Sequence, residues 1–194
     1  VRLEGGEHIE RALAERRGII LVSAHLGNVD IVGQLPLIYG VPITVVAWRA
    51  QPERLFHYTR QLRQSHGLRL LPSDGPMIGL LRALRRGEII CLACDRSVTD
   101  SVRRMDFFGS PTWLPDGPAR RALRTGAALI PAFAQRLPDD TFVVRVEPPL
   151  PIAKTGDQEA EIVATMKRVV AIMEQYILQH PEQWLVAVPV WPMS

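Results

Sequence analysis

Short apolar runs alternate with longer amphipathic stretches along nearly the whole sequence, and this alternation constrains the fold more than any other feature. The apolar runs are rich in β-branched residues and are five to seven residues long, which is typical of buried strands. They cover residues 19–23, 43–47, 89–93, 129–135 and 141–146.

The amphipathic stretches between these runs predict helices. They cover residues 7–16, 29–38, 52–64, 76–85, 118–124 and 157–179. Prolines stand near several predicted first turns and glycines follow several predicted last turns, as helix ends require. Strands that alternate with helices indicate an α/β fold, with a mostly parallel central sheet flanked by helices. With 194 residues and no long linker, the sequence predicts one domain over 1–194.

The charge balance favours small anionic ligands or anionic surfaces over nucleic acid. The formal net charge is +3, and all but two of the 23 basic residues are arginines, which suit bidentate contacts with phosphate or carboxylate. This excess is small and scattered, and no finger, zipper or ribonucleoprotein motif accompanies it. We therefore expect no nucleic-acid partner.

The cysteine and histidine spacing does not indicate a metal site. Cys91 and Cys94 lie within one predicted strand and lack a second ligand pair, so we expect buried thiols. The other histidines outside the segment described next have no acidic or cysteine companion at ligand spacing. We therefore expect no metal site.

The most informative segment reads Ser-Ala-His-Leu-Gly-Asn-Val-Asp and spans residues 23–30. A predicted apolar strand delivers His25 to its carboxyl end, where ligands bind in open α/β sheets, and a predicted helix then begins. An Asp30 carboxylate in the first helical turn can accept the Nδ1 proton of His25, which leaves Nε2 as a general base. The alternative is a strand-end histidine bonded to backbone and an aspartate that favours the helix start.

This segment resembles the His-X4-Asp/Glu signature of the lysophospholipid acyltransferase superfamily. Its closest similarity is to the bacterial lipid A biosynthesis acyltransferases, a branch that includes the phosphatidylinositol mannoside acyltransferases. His25, Gly27, Asn28 and Asp30 match the branch pattern, whereas Val29 replaces the usual tryptophan. Further matching blocks follow in order at 46–49, 94–97, 106–109, 114–131 and 180–184.

The resemblance implies an enzyme that transfers an acyl group from acyl-CoA or acyl carrier protein to a lipid hydroxyl, without a metal, cofactor or acyl-enzyme. It implies His25 as general base with Asp30 as its partner. It also implies a peripheral location on the cytoplasmic face of the bacterial inner membrane. Relatives usually carry an amino-terminal segment that helps seat them on the membrane, and we expect such a segment upstream of Val1.

Several further residues are candidate substrate contacts. The resemblance places Gly27 and Asn28 in the site. Asp95 and Arg96 follow a predicted strand, so we expect them on the same rim as His25, and the resemblance implies that they line the site, where Asp95 could orient the acceptor or support His25. Asp100 is a second candidate for that support. The remaining candidates are three arginines for anionic groups and two phenylalanines for an acyl channel or the membrane: Arg49, Arg103, Arg104, Phe107 and Phe108.

Two other functions stay open at this point. A serine hydrolase would pair Ser23 or Ser97 with His25, although no Gly-X-Ser-X-Gly elbow is present. A catalytically silent lipid-binding module on the same scaffold would bind lipid or CoA without turnover.

Overall fold

Strands and helices alternate along the chain as the sequence pattern predicts. The computed structural model describes residues 1–34, 38–47, 51–73, 78–97, 101–152 and 155–191. The strands are β1 (Arg2–Glu4), β2 (Ile19–Ser23), β3 (Ile43–Ala47), β4 (Leu68–Pro72), β5 (Ile89–Ala93), β6 (Val102–Phe107), β7 (Ser110–Pro115), β8 (Ala128–Arg136) and β9 (Phe142–Val146). The helices are α1 (Gly6–Ala14), α2 (Val29–Gln34), α3 (Glu53–Ser65), α4 (Ile78–Arg85), α5 (Gly117–Thr125) and α6 (Gln158–Gln179), followed by a 3-10 turn at Pro181–Gln183.

One seven-stranded sheet organises the fold. Its strand order is β1-β9-β8-β2-β5-β3-β4, and its neighbours pair in parallel apart from β8 and β9, which are antiparallel. The strands β6 and β7 form a separate antiparallel hairpin. The prediction of an α/β fold with a mostly parallel sheet flanked by helices is therefore confirmed.

The two faces of the sheet bury two different apolar cores. Alternate residues of β2 point to opposite faces, as strand geometry requires. Ile20 and Val22 pack in the core that also contains residues of α4, α5, α6 and the hairpin. Ile19 and Leu21 pack in the core that contains residues of α1 and α2. This burial on both sides fixes the central strands, whose carboxyl ends carry the candidate site.

The structure adds strands that the sequence pattern did not predict. The three-residue β1 and the edge strand β4 are short and partly exposed, so they lack the continuous apolar run of a central strand. The β6–β7 hairpin carries alternating charged and buried residues, and it turns at Phe108 and Gly109, which both have positive φ. Helix α2 is described over Val29–Gln34, and residues 35–37 of the helix predicted over 29–38 lie outside the described residues.

Candidate active site

His25 and Asp95 meet at the carboxyl ends of two adjacent strands. β2 and β5 are parallel neighbours whose register pairs Ser23 with Ala93, and each of the two site residues follows its strand by two positions. The Nδ1 atom of His25 lies 2.7 Å from Oδ1 of Asp95, and the backbone N–H of His25 donates to Oδ2 at 2.8 Å. The sheet register thus brings together two residues that are 70 positions apart in sequence.

Asp95 is held as a buried carboxylate by several donors. Its side chain is fully buried, and the indole Nε1 of Trp184 donates to Oδ2 at 2.8 Å. Burial alone would raise the pKa of Asp95, but the hydrogen bonds from His25 and Trp184 and the charge of His25 outweigh it, so the pKa is lowered. An ionised Asp95 can accept a proton from Nδ1 of His25, and in the neutral tautomer that donates in this way Nε2 is the acceptor nitrogen.

The segment around Trp184 forms backbone hydrogen bonds with the loop that contains His25. Leu26 and Trp184 form an isolated antiparallel bridge. The N–H of Gly27 donates to the carbonyl of Gln183 at 2.9 Å, and the N–H of Leu185 donates to the carbonyl of His25 at 2.8 Å. The backbone before and after His25 is therefore fixed by a chain segment about 160 residues downstream.

The expectation that Asp30 holds His25 is corrected by the structure. Asp30 instead forms a two-pronged ion pair with Arg63 of α3, with distances of 2.8 Å to Nε and 3.1 Å to Nη2. The first turn of α2 places the Asp30 carboxylate toward α3 and partly in solvent, whereas β5 places Asp95 directly beside His25. Asp30 still lines the same cavity as His25.

Gly27 and Asn28 shape the loop and are absent from the described lining of the cavity. Gly27 has φ of 58°, and a Cβ atom there would lie 2.2 Å from the carbonyl oxygen of Ala134. Asn28 accepts the N–H of Asp30 through Oδ1 at 3.1 Å, at the start of α2. Both residues therefore fix the backbone on which His25 and Asp30 stand.

A cavity of about 350 Å³ opens beside the His25 ring. The ring is partly exposed, with 24% of the side-chain surface accessible. The lining is largely apolar and comes from α2, β3, α3, β5 and α5, with Val29, Val45, Val46, Leu55, Leu92 and Pro118 among its members. Its cationic members are Arg63, Arg96 and Arg121. Such a cavity suits an apolar chain with a polar end.

The other predicted contacts divide into three groups. Arg96 lines the cavity with His25. Arg103 and Arg104 lie on β6 beside a different depression against α6, where Arg103 pairs with Asp116 and Glu159. The predicted contacts Arg49 and Asp100 lie outside the described residues.

Phe107 and Phe108 belong to the packing of the hairpin. Phe107 is fully buried and stacks on Trp191, with ring centres 5.9 Å apart. Phe108 is partly buried and packs against the same core. Neither residue is among the described lining of the His25 cavity, so the expected acyl-channel contact is not what the structure shows for these rings. Adjacent residues on a strand face opposite ways, but the turn at Phe108 brings both rings to one cluster.

The hydrogen bonds of the described residues do not pair either alternative nucleophile with His25. Ser23 is buried within β2 and donates to the neighbouring carbonyl of Ala24 at 3.3 Å. Ser97 is exposed, and the hydrogen bonds of the described residues join neither serine to His25. Cys91 and Cys94 are buried free thiols, as predicted. The described part of the chain holds no cluster of three metal-ligating side chains.

Sequence reasoning did not identify three residues of this site. Trp184 was visible within the block at 180–184, but its contact with Asp95 depends on the fold of the carboxyl-terminal segment. Arg63 and Arg121 stand on helices with other charged residues, and nothing in the local pattern distinguishes those that face the cavity.

The chain matches known proteins over almost its whole length. The family model described as "Bacterial lipid A biosynthesis acyltransferase" matches residues 1–191. The phosphatidylinositol mannoside acyltransferase of Mycobacterium tuberculosis (strain CDC 1551 / Oshkosh) is 34% identical over 98% of this chain and 60% of that protein. The protein of the same name from Mycolicibacterium smegmatis is 36% identical over 95% of this chain and 60% of its own length.

A more distant relative is the lipid A biosynthesis lauroyltransferase of Escherichia coli K12, which is 25% identical over 93% of this chain and 58% of that protein. The chain thus spans about 60% of the length of the curated relatives it matches. The family model and the relatives agree with the resemblance drawn from the sequence blocks. The chain belongs to the bacterial lipid A biosynthesis acyltransferase family.

Proposed function

We propose that this chain carries the active site of an O-acyltransferase, which moves a fatty acyl group from a thioester to a hydroxyl of a membrane glycolipid or lysophospholipid. The observation that carries this proposal is the His25–Asp95 pair at the edge of a largely apolar cavity, in a chain of this family. The acyl donor is acyl-CoA or an acylated carrier protein.

His25 acts as the general base in the proposed reaction. A hydroxyl cannot attack a thioester efficiently at neutral pH unless a base removes its proton as the new bond forms. The Nε2 atom of His25 takes this proton while the hydroxyl oxygen bonds to the thioester carbonyl carbon. The tetrahedral intermediate then collapses, the carbon–sulfur bond breaks, and the imidazolium returns the proton to the departing thiolate. Ester and free thiol are the products.

Asp95 acts through His25 in this scheme. Its carboxylate accepts the Nδ1 proton, fixes the ring orientation and stabilises the imidazolium that forms during the reaction. The reaction as written needs no metal, no cofactor and no acyl-enzyme. The apolar part of the cavity, including Val45, Val46 and Leu92, accommodates the start of the acyl chain.

The acceptor is proposed to be a mannosylated phosphatidylinositol. This choice rests on the names of the relatives at 34% and 36% identity, compared with 25% for the lauroyltransferase. Those names describe the relatives. The acceptor of this chain is tested by comparing thiol release in the presence of different lipids.

We further propose that the enzyme works as a peripheral protein on the cytoplasmic face of the inner membrane. Leu55, Tyr58 and Leu62 lie on one side of α3 and are about half exposed or more, and we call them the apolar face of α3. Leu55 also lines the cavity, so this face continues into the candidate site. Among the described helices, none is both long and apolar enough to cross a bilayer.

The experiment is thiol release from palmitoyl-CoA, measured with and without lysophosphatidylinositol or a phosphatidylinositol mannoside. Acceptor-dependent release and formation of the acylated lipid are expected, and His25→Ala should abolish both while the far-UV circular dichroism stays unchanged. His66→Ala is the matched control, because His66 is exposed at the end of α3 and should leave turnover intact. Acceptor-dependent release that survives in His25→Ala would contradict the proposal.

A further inference from the structure

Arg121 presents a guanidinium to the cavity that holds His25. It stands on α5, and it shares the cavity-facing side of this helix with Gly117 and Pro118. The side chain is mostly withdrawn from solvent, and this burial lowers the pKa of its guanidinium. Withdrawing a cation from water is unfavourable unless a negative partner compensates for it.

Two other arginines, one that lines the cavity and one next to Arg121 in sequence, have such partners. Arg63 is paired with Asp30, and Arg120 pairs with Asp116 and Glu159. Within the part of the chain that the structure describes, no carboxylate lies within 4.0 Å of the Arg121 guanidinium. The nearby carboxylate of Asp116 is already held by Arg120 at 2.9 Å and by the Ser101 hydroxyl at 2.6 Å.

The position of the guanidinium relative to its own helix α5 is a second reason why it requires a negative partner. A Cβ atom built on Gly117 would lie 2.0 Å from Nη1 of Arg121, so the side chain folds back over the first turn of α5. The amino end of a helix carries partial positive charge, which repels a cation. The arrangement becomes favourable when an anion binds to the guanidinium.

We propose that Arg121 binds a phosphate group of a substrate in the His25 cavity. The inference rests on the proposed function, because the substrates of that reaction carry phosphate: the nucleotide part of acyl-CoA or the phosphodiester of an inositol lipid. The planar guanidinium forms two parallel hydrogen bonds with phosphate, which gives both affinity and orientation. Arg121 is thereby a substrate-binding residue that aligns the reacting group with His25.

The test compares Arg121→Gln and Arg121→Lys with the unaltered chain in steady-state kinetics. Losing a charged hydrogen-bond donor is expected to raise the KM for the phosphate-bearing substrate about tenfold to a hundredfold, with a smaller rise for lysine. Gly117→Ala should act in the same direction, because the new methyl group displaces the guanidinium from the first turn. Arg124→Gln is the matched control, since Arg124 is exposed at the other end of α5.

Three substrate combinations distinguish the source of the phosphate. Palmitoyl-CoA with lysophosphatidylinositol provides both phosphates, palmitoyl N-acetylcysteamine thioester removes that of the donor, and monoacylglycerol removes that of the acceptor. A defect of Arg121→Gln that disappears with the truncated donor assigns the contact to CoA. A defect that disappears with monoacylglycerol assigns it to the lipid. KM values within about twofold of the unaltered chain in all three combinations would overturn the inference.

A binding measurement separates this inference from the proposed function. Calorimetric titration of the chain with CoA and with lysophosphatidylinositol requires no turnover. Weaker binding of at least one of these probes to Arg121→Gln supports the phosphate contact even if no acyl transfer is observed. Equal binding of both probes by the variant and the unaltered chain, or binding of neither by the unaltered chain, overturns it.

Discussion

The two carboxylate oxygens of Asp95 hold His25 at two different points. Oδ1 lies 2.7 Å from the ring Nδ1, and Oδ2 accepts the backbone N–H of the same residue at 2.8 Å. One side chain thus fixes both the ring orientation and the backbone from which the ring extends. The ring held in this way is one of the groups that line the cavity.

The first prediction concerns the relative importance of Asp95 and Asp30. Asp95→Asn removes the charge that stabilises the imidazolium, and we expect kcat to fall about 10²- to 10⁴-fold. Asp30→Asn weakens the ion pair with Arg63 but leaves His25 and its partner in place, so its effect on kcat should be much smaller. Initial rates at saturating acceptor, with both variants checked by circular dichroism, provide the measurement.

Equal losses in the two variants, or a larger loss in Asp30→Asn, would contradict the assignment of Asp95 as the partner of His25. Trp184→Phe tests the same network, because it removes the indole donor to Asp95 and keeps the ring packing. Its loss of kcat should lie between that of Asp95→Asn and the unaltered chain.

Much of the fold could be predicted because its central strands are buried on both faces. Burial on both faces produces the continuous apolar runs that predict β2, β5 and β8. The hairpin β6–β7 was not predicted, since its buried positions alternate with charged ones and are filled by tertiary contacts with α6 and Trp191. The sequence pattern of a short segment predicts a strand only where the burial of its residues is visible in that segment as an apolar run.

The His25–Asp95 pair illustrates what the sequence leaves open. His25 was evident because a strand delivers it to a sheet edge, and Asp95 was placed on the same rim for the same reason. The sequence does not reveal that β2 and β5 are neighbours in register. Asp30, which is nearer to His25 in sequence, was therefore predicted as the partner. Strand order depends on how helices and hairpins pack across the sheet, which no short segment encodes.

The second prediction concerns stability in acid. The pKa of Asp95 is lowered from its ordinary value of 3.8, so its ionised form stabilises the folded state. This contribution is fully present above pH 3.8, and it is lost as the pH falls through the lower pKa of the folded state. The free energy of unfolding, measured in urea from pH 7 downward, should therefore differ less between Asp95→Asn and the unaltered chain at the acid end. A difference that stays constant to the lowest pH would contradict the prediction.

The third prediction concerns the close approach at Gly27. Gly27→Ala would place a methyl group 2.2 Å from the Ala134 carbonyl in addition to the strain of positive φ. Gly40→Ala is the matched control, because Gly40 has φ of 66° with no atom within 4 Å of a Cβ. The control should cost about 1–2 kcal/mol from backbone strain alone, a fall in Tm of roughly 2–8 °C. Gly27→Ala should lower the Tm further than Gly40→Ala does. Equal Tm values for the two variants would show that β8 shifts to accommodate the methyl group.

The fourth prediction concerns the two cysteines. Burial raises the pKa of Cys91 to about 12 and raises that of Cys94 further. At pH 8 both thiols therefore stay protonated, and thiolate is the reactive form. Ellman's reagent should therefore react with neither thiol in the folded chain and with both after unfolding in guanidinium. Rapid reaction of one thiol in the folded state would mean that the cavity admits the reagent to β5.

The last prediction concerns the apolar face of α3 as the membrane contact. The double variant Tyr58→Ser/Leu62→Ser removes two exposed apolar side chains from α3, the helix that contributes Leu55 to the cavity. If each inserts partly into the lipid and contributes about 1 kcal/mol, vesicle binding should weaken roughly tenfold or more. Co-sedimentation with vesicles that contain phosphatidylinositol measures this loss. Leu178→Ser is the matched control, because Leu178 is equally apolar and 67% exposed but stands on α6. If the double variant binds vesicles as well as the unaltered chain does, α3 is not the membrane-docking face. If Leu178→Ser loses as much binding as the double variant, the membrane contact is not specific to α3.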